Sequence, residues 1–382
     1  MTALSPTVPD SALAPFLDRR FQRLQGLRPI FRRLFPDRVA LDFTVVIITY
    51  NGAQRVGAVL DRLRCQIGVD DLSWEIIVVD NNSSDDTQAV IQRYQANWPA
   101  AIPLRYEFEP QQGTGFARQH GIEVANSPLV GYLDDDTLPW INWIRSAYLF
   151  GQQHPDVGVF GSRIRGKFAI APPPNFERIA AFLALTERGA TPIPYSPEAK
   201  ILPPGAGLVV RRQAWLENVP TVLTLSQKFG ARDAGEDLEV VLRIQQAGWP
   251  VWYNARMLLY HEIPDSRLTR QYLVTLCKGI GLSRYHTRML SFAAWQRPFM
   301  VLPYAANDIK KIIRHMLRYR HQVITDTVTA SEMMLYAASL VSPIYSWYRI
   351  WNTLCQSMGN KISETTHQKL SARLFKRTVA QR

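Results

Sequence analysis

Three groups of carboxylates in this 382-residue chain have types and spacings that could do chemistry. In VGYLDDDT, residues 130–137, an apolar run ends in Asp134, Asp135 and Asp136, with Asp134 and Asp136 at alternate positions. Neighbouring like charges repel, so an unpaired triplet is costly at a strand end. A divalent cation would neutralise it, and hard oxygen ligands suit Mg2+ or Mn2+, with further coordination positions open to phosphate oxygens. A solvated acidic turn is the simpler alternative. In VVDNNSSDDT, residues 78–87, Asp80 closes another apolar run, where it can accept hydrogen bonds from a base or ribose, while Ser84 or Asp85 caps the helix that follows. In AGEDLEVVLRIQQAGW, residues 234–249, Glu236 and Asp237 fall in the first turn of a helix, whose dipole favours anions there. Leu238, Val241, Leu242 and Ile244 are the expected buried face of that helix, and Gly248 its stop. His261 follows the apolar strand VWYNARMLLY, either as a structural histidine or as a ligand.

The elements that must position these groups follow from the hydrophobic period. FTVVIITY, from Phe43, is a continuous β-branched run of the kind found in parallel strands covered on both faces, and Asn51-Gly52 ends it. Val56, Val59, Leu60 and Leu63 supply a helical stripe, and WEIIVVD, Trp74 to Asp80, is a second buried strand. A further pass gives a helix over Thr87–Tyr94, a strand over Leu104–Phe108, a helix over Gly115–Asn126 and a strand over Leu129–Leu133. This alternation predicts an α/β fold: a Rossmann-like, mostly parallel sheet flanked by helices, with ligand sites at the carboxyl ends of its strands. Asp80 and the Asp134–Asp136 triplet sit at such ends. GTGFAR, residues 113–118, lacks the third glycine of a dinucleotide loop.

Charge divides the chain into three. The net formal charge is +12, yet residues 44–265 carry 19 Lys and Arg against 24 Asp and Glu, while residues 266–382 carry 18 against four. A mildly acidic core with basic flanks fits contact with something anionic, a membrane surface or nucleic acid. In the leading segment, 1–42, Leu13, Phe16, Leu17, Phe21, Leu24, Leu27, Phe31 and Leu34 recur at helical spacing among arginines, with Pro29 as a break. It either packs on the core or lies on anionic lipid. Cys65, Cys277 and Cys355 have no spacing for a disulfide framework or thiolate metal site, and the N-terminus lacks the pattern of a secretory signal, so a cytoplasmic protein is expected.

Taken in order, these stretches resemble family 2 glycosyltransferases of the GT-A fold, over roughly residues 43–285. TVVIITYN is similar to the family's opening strand, which implies that Tyr50 and the backbone around it contact the nucleotide base. VVDNNSSDDT resembles the second nucleotide loop, with Asp80 as the base-recognising carboxylate and Asn82 beside it. QQGTGFARQHGI, residues 111–122, is similar to the glycine-containing turn and the helix after it, with Gln119 where Asn is usual and Arg118 as a phosphate or structural partner. YLDDDT resembles the DxD motif, placing Asp134 towards the ribose and Asp136 on the metal. PPGAGLVVRR resembles the small-residue loop under the donor sugar, with Gly205 and Gly207. AGEDLEVVLRIQQAGW is similar to the family's ED motif, which implies Asp237 as the catalytic base, and His261 resembles the histidine that completes the metal or diphosphate site.

The resemblance implies an inverting transfer of a sugar from a nucleotide-diphosphate donor, a UDP-sugar first among them, to a hydroxyl of a saccharide or lipid-linked acceptor in polysaccharide biosynthesis, dependent on Mg2+ or Mn2+. Arg163–Ile201, rich in proline, is expected as an acceptor-facing loop. Residues 286–382 are expected to be a basic helical region that either touches a membrane peripherally, on the inner face of the plasma membrane, or caps the sheet. MMLYAASLVSPIYSWYRIW is apolar for about 16 residues, short of the roughly 20 needed to span a bilayer, and contains Pro343. Another metal-dependent phosphate enzyme, such as a nucleotidyltransferase, shares the two-carboxylate feature but not the ED helix. A nucleic-acid-binding module would need an RRM, helix-turn-helix or zinc pattern, none of which is visible, so no nucleic acid is expected.

Overall fold

The computed structural model describes residues 41–196, 201–226 and 235–348. The leading amphipathic segment and the basic tail after residue 348 lie outside them.

The run from Phe43 forms β1 (Phe43–Thr49), and a βαβ succession follows: α1 (Val56–Arg64), β2 (Trp74–Asp80), α2 (Thr87–Ala96), β3 (Leu104–Phe108), α3 (Thr114–Val124) and β4 (Leu129–Asp134). β5 (Thr137–Pro139), α4 (Trp143–Gln153), β6 (Val159–Phe168), β7 (Ile193–Pro194), β8 (Val209–Arg211), α5 (Arg212–Asn218), α6 (Glu236–Gln246) and β9 (Val251–Ile263) complete the sheet and its cover. The sheet order is β3-β2-β1-β4-β8-β6-β9-β5, with β7 also on β9. β3, β2, β1 and β4 are mutually parallel, and so are β6 and β9, while β8 inserts antiparallel between β4 and β6.

All seven residues of β1 and of β2 are buried, so the period-two alternation feeds two cores. On one face Phe43, Val45, Ile47, Ile76 and Val78 pack with Leu60 and Leu63 of α1 and Trp143 of α4. On the other, Val46, Ile48, Ile77 and Val79 meet Ala117 and Ile122 of α3, Trp215 of α5 and Val241 and Ile244 of α6. This is the α/β sheet covered on both faces that the sequence predicts.

Two local expectations change. Arg163–Phe168 is not loop: it continues β6, pairing in parallel with Leu258–Ile263 of β9. The buried face of α6 is Glu236, Glu239, Val240, Val241 and Ile244, whereas Leu238 and Leu242 are half-buried. The helix turns inward on its acidic side because Glu236 and Glu239 find partners there.

Beyond β9 the chain is helical: α7 (Arg270–Leu290), α8 (Arg297–Tyr319), a turn at Gln322–Thr325 and a helix over residues 327–348, called α9. A third apolar cluster joins Phe176, Ile179 and Leu183 to Ile263, Leu268, Leu273 and Val328, which docks the start of α9 on the sheet domain. Gly281 of α7 lets α9 approach closely, since a methyl there would fall 2.6 Å from the Ala338 Cβ. Arg288 forks onto Asp308 at 2.6 and 2.9 Å, and Ser339 donates to the same carboxylate, tying α7, α8 and α9 together. α8 is otherwise thinly covered. Only Asp308 and His315 are buried along its 23 residues, and Phe299, Leu302 and Leu317 stand in solvent. Among the described residues no helix is long and apolar enough to cross a membrane.

Candidate active site

The register of the parallel strands brings the acidic groups to one edge of the sheet: Thr49 lies opposite Asp80, and Ile48 opposite Asp134. Asp80 is buried and held by two internal donors. Its Oδ1 accepts the Ser83 N–H at 3.0 Å and its Oδ2 the Tyr106 hydroxyl at 2.9 Å. Burial, and then the Asp80 charge, push the Tyr106 hydroxyl up to about 12. Tyr50, the next residue after β1, is half exposed at the rim.

The polar residues after Asp80 are spent on the loop after β1. Ser83 Oγ accepts the Asn51 N–H, Asp85 the Ala53 N–H and Thr87 the Gly52 N–H, while Ser84 N donates to Asn51 Oδ1. Asp85 also accepts the Thr87 N–H at the start of α2, the expected capping role. Asn82 takes a left-handed backbone (φ 62°) and donates to the Pro110 carbonyl. Asn81, which the sequence reading did not single out, bonds the Gly113 N–H and the Gln111 carbonyl, fixing the turn into α3.

The triplet after β4 divides into three roles. Asp135 turns inward, accepting from Thr49 Oγ1 at 2.7 Å and twice from Arg55 at 2.9 Å. Gly52 is required beside it, because a Cβ there would overlap Thr49 Oγ1 at 2.0 Å and Asp135 Oδ2 at 2.4 Å. Asp134 meets Arg118 of α3 at 3.2 Å. Burial raises the Asp134 carboxyl, Arg118 opposes that rise, and Asp136 adds to it. Asp136 lies beside His261 of β9, Oδ2 to Nε2 3.5 Å, and accepts Arg267 Nη2 at 2.8 Å. Burial alone would raise it, but His261 and Arg267 outweigh that and hold it at about 2. β5 pairing with β9, Thr137 opposite His261, makes this meeting possible. His261 Nδ1 donates to the Leu183 carbonyl at 2.8 Å, which turns Nε2 towards Asp136.

The pair fits a divalent cation. Ligand atoms about 2.0–2.2 Å from one ion stand about 3 Å apart at right angles and about 3.5 Å apart at a tetrahedral angle. Among the described residues no set of three or more His, Cys, Asp or Glu converges on one point.

The ED pair is split by function. Glu236 is buried and reaches across to the start of α3, accepting the Gly115 N–H at 2.7 Å and the Thr114 hydroxyl. It is therefore the anion on the dipole of α3 as well as of α6. Burial pushes its carboxyl up, against the pull of Thr114 and Arg118. Asp237 instead faces the small-residue loop: its Oδ2 accepts the Gly205 N–H at 2.6 Å. A Cβ on Gly205 would lie 2.6 Å from Arg118 Nη2 and 2.8 Å from the Asp237 Cβ, so these three residues are in contact. Gly207 faces the other way and needs its left-handed φ of 66°, with Leu259 and Ser162 against it. Arg118, buried with its charge among Asp134, Asp237 and Glu236, is the hub between the β4 end and the α6 start. Arg243, His286 and Arg267 were not found from sequence as members of this region, and Glu239, an alternative base by sequence, is instead paired with Arg243 and His286. Their only local signal is the i,i+4 spacing of Glu239 and Arg243.

The family model described as "Glycosyl transferase family 2" matches residues 44–199. Glycosyltransferase AglE of Haloferax volcanii is 30% identical over 101 residues, 26% of this chain and 32% of that protein. Dodecaprenyl-phosphate galacturonate synthase of Rhizobium johnstonii is 28% identical over 97 residues, 25% of this chain and 28% of that one. The matches thus span under a third of the length of these curated relatives. The solved mannosyltransferase PcManGT of Pyrobaculum calidifontis, in complex with GDP-Man and Mn2+, superposes with a TM-score of 0.52 at 16% identity, covering 88% of this chain and 99% of that one, a likeness of fold. Residues 44–199 thus match the glycosyl transferase family 2 model, and the described residues share the GT-A fold of the Pyrobaculum structure.

Proposed function

We propose that the protein transfers a sugar, with inversion, from a nucleotide-diphosphate donor to a hydroxyl of a saccharide or lipid-linked acceptor. The observation that carries this reading is the single constellation around Arg118: Asp134 at the end of β4 on one side and Asp237 with the Gly205 loop on the other. The donor's base belongs at the ends of β1 and β2, near Tyr50, Asp80 and Asn82, and its ribose towards Asp134. A UDP-sugar is the first donor to try, and a GDP-sugar the second, given the ligand of the Pyrobaculum structure.

Asp136 and His261 would hold Mg2+ or Mn2+, and Mn2+ is the ion in the Pyrobaculum structure. Bound there with the diphosphate, such an ion supplies charge neutralisation for the leaving group. The rest falls to the chain. Asp237, oriented by the Gly205 N–H, accepts the acceptor's hydroxyl proton as the acceptor oxygen bonds to the anomeric carbon. The bond from that carbon to the diphosphate oxygen breaks on the opposite face, so configuration inverts. Glu236 is committed to α3, which leaves Asp237, held by the backbone N–H groups of Gly205 and Leu238, as the carboxylate of the pair that can take the proton.

The outward face of α8 supports peripheral contact with an anionic membrane, the inner face of the plasma membrane in a cell. Phe299, Leu302, Ile313 and Leu317 are exposed beside Lys310, Arg314 and Arg318. A lipid-linked acceptor accords with this face and with the dodecaprenyl-phosphate of the Rhizobium relative's name.

The test is Asp237→Asn, nearly isosteric but unable to take the proton. It should keep nucleotide-sugar affinity and lose roughly 10²-fold to 10⁴-fold in turnover, measured as transfer or donor hydrolysis over a panel of nucleotide sugars. Loss of donor affinity in step with turnover would move Asp237 to the donor site. Full activity would remove it from the mechanism.

A further inference from the structure

The place a divalent cation would occupy already holds a positive charge. Arg267, on the short turn between β9 and α7, sends one guanidinium nitrogen to His261 Nε2 at 3.0 Å and the other to Asp136 Oδ2 at 2.8 Å. These are the same two atoms whose 3.5 Å separation suits one metal ion. The fork is geometrically specific, since a planar guanidinium presents paired donors at about the spacing of two ligand atoms. Both partners are buried, whereas the Arg267 side chain is one-third exposed, so the guanidinium lies on their solvent side.

The electrostatics force a choice between the two cations. An ion bonded to Asp136 Oδ2 and His261 Nε2 uses the lone pairs that receive the Arg267 hydrogens, and its charge repels a guanidinium within a few ångströms. Arg267 can leave without unfolding the turn. Leu268, next to it, anchors the turn in the third apolar cluster, and the backbone bond from Arg267 N to Pro264 O is independent of the side chain. A guanidinium withdrawn from these two atoms would need a new anionic partner, and a nucleotide diphosphate is one.

We propose that Arg267 is the resident counter-cation of this pocket, that it competes directly with the divalent ion for Asp136 and His261, and that this competition couples ion binding to nucleotide-diphosphate binding. The inference rests on the assignment of Asp136 and His261 to the ion. In this arrangement Mn2+ alone binds weakly, because it must displace Arg267. With a nucleotide diphosphate present the displaced side chain is paired again, and each ligand strengthens the other by the same factor. Arg267 is thus a positioning residue for the donor complex, keeping the buried carboxylate paired while the site awaits donor.

The experiment measures free Mn2+ by electron paramagnetic resonance during titration of the full chain, with and without UDP or GDP. Arg267→Gln should bind Mn2+ alone about tenfold or more tightly than the wild type, the worth of one charge-assisted hydrogen bond. It should also show a smaller gain from the nucleotide. Arg267→Lys, which keeps the charge but cannot fork, should fall between the two, and equal melting temperatures would confirm that all three are folded. Mn2+ binding to Arg267→Gln that is unchanged or weaker overturns the competition. A second arm separates this from failure of the site assignment: adding Asp136→Ala to Arg267→Gln should abolish the gained affinity. If that double variant keeps the gain, the ion binds elsewhere and the assignment itself falls. If Asp136→Ala removes Mn2+ binding while Arg267→Gln does not tighten it, the assignment stands and only the role of Arg267 is refuted.

Discussion

Gly205→Ala is the smallest change that should damage the chemistry while sparing the nucleotide end of the donor site. The added methyl would lie 2.6 Å from Arg118 Nη2, 2.8 Å from Arg118 Cζ and 2.8 Å from the Asp237 Cβ. Heavy atoms in contact prefer about 3.5–4.0 Å, so each approach is short by roughly 0.7–1.4 Å. Arg118 cannot swing aside: it is buried and paired with Asp134. The backbone φ of Gly205 is not in the left-handed region, so the cost is steric and falls on the loop and on Asp237. Overpacking of this kind costs about 1–3 kcal/mol in stability, and a displacement near 1 Å at a reacting group can cost about 10²-fold in rate. The assay is turnover by donor hydrolysis, water standing in for the acceptor, together with donor affinity by calorimetry. The expected result is a fall in kcat of about 10²-fold with donor affinity within a few-fold of wild type. Gly207→Ala is the control, because its methyl meets Leu259 and Ser162 in the core and its φ of 66° is unfavourable for alanine, so stability should fall first. A folded Gly205→Ala protein with kcat within about threefold of wild type would refute the claim that this contact positions the base.

Acid stability should report on Glu239. It is fully buried, accepts the Leu225 N–H at 3.2 Å and Arg243 Nη2 at 2.7 Å, and stands 3.2 Å from His286 Nε2. Burial would raise its carboxyl, but His286 and Arg243 outweigh that and hold it at about 2 rather than the usual 4.5. A depressed folded value means stability that is complete above pH 4.5 and is lost as pH falls through about 2, up to about 3 kcal/mol by linkage. Glu239→Gln should therefore melt lower at pH 7 and converge with wild type near pH 2, and parallel melting curves across that range would exclude this contribution. For α8, sedimentation with anionic vesicles should be released by salt and weakened by joint replacement of Lys310, Arg314 and Arg318 with Gln, since screening shortens the reach of those charges. Equal recovery in the supernatant with and without vesicles would assign the exposed face to something other than lipid.

The sequence by itself determined the sheet's parallel half and the acids at its edge. β1, β2 and β4 are read from unbroken apolar runs, and Asp80 and Asp134 follow them directly, because the period of burial is a local property written residue by residue. What each acid touches was decided only in three dimensions. Asp135 pairs with Arg55, 80 positions earlier, and Glu236 caps a helix that begins 122 positions before it. Of the stretch after Asp80, the capping by Asp85 was legible. The bonds of Ser83, Ser84 and Thr87 to the Asn51–Gly52 backbone were not. The second half of the sheet was harder to read for the same reason. Arg163–Phe168 leads into the proline-rich stretch with which it reads as loop, and only pairing with β9 makes it strand. Arg267 is the extreme case, an arginine in a short turn with no pattern around it. It meets Asp136 and His261 because β5 pairs with β9, and a hydrogen-bonded neighbour of that kind is set by sheet topology, which no local periodicity encodes.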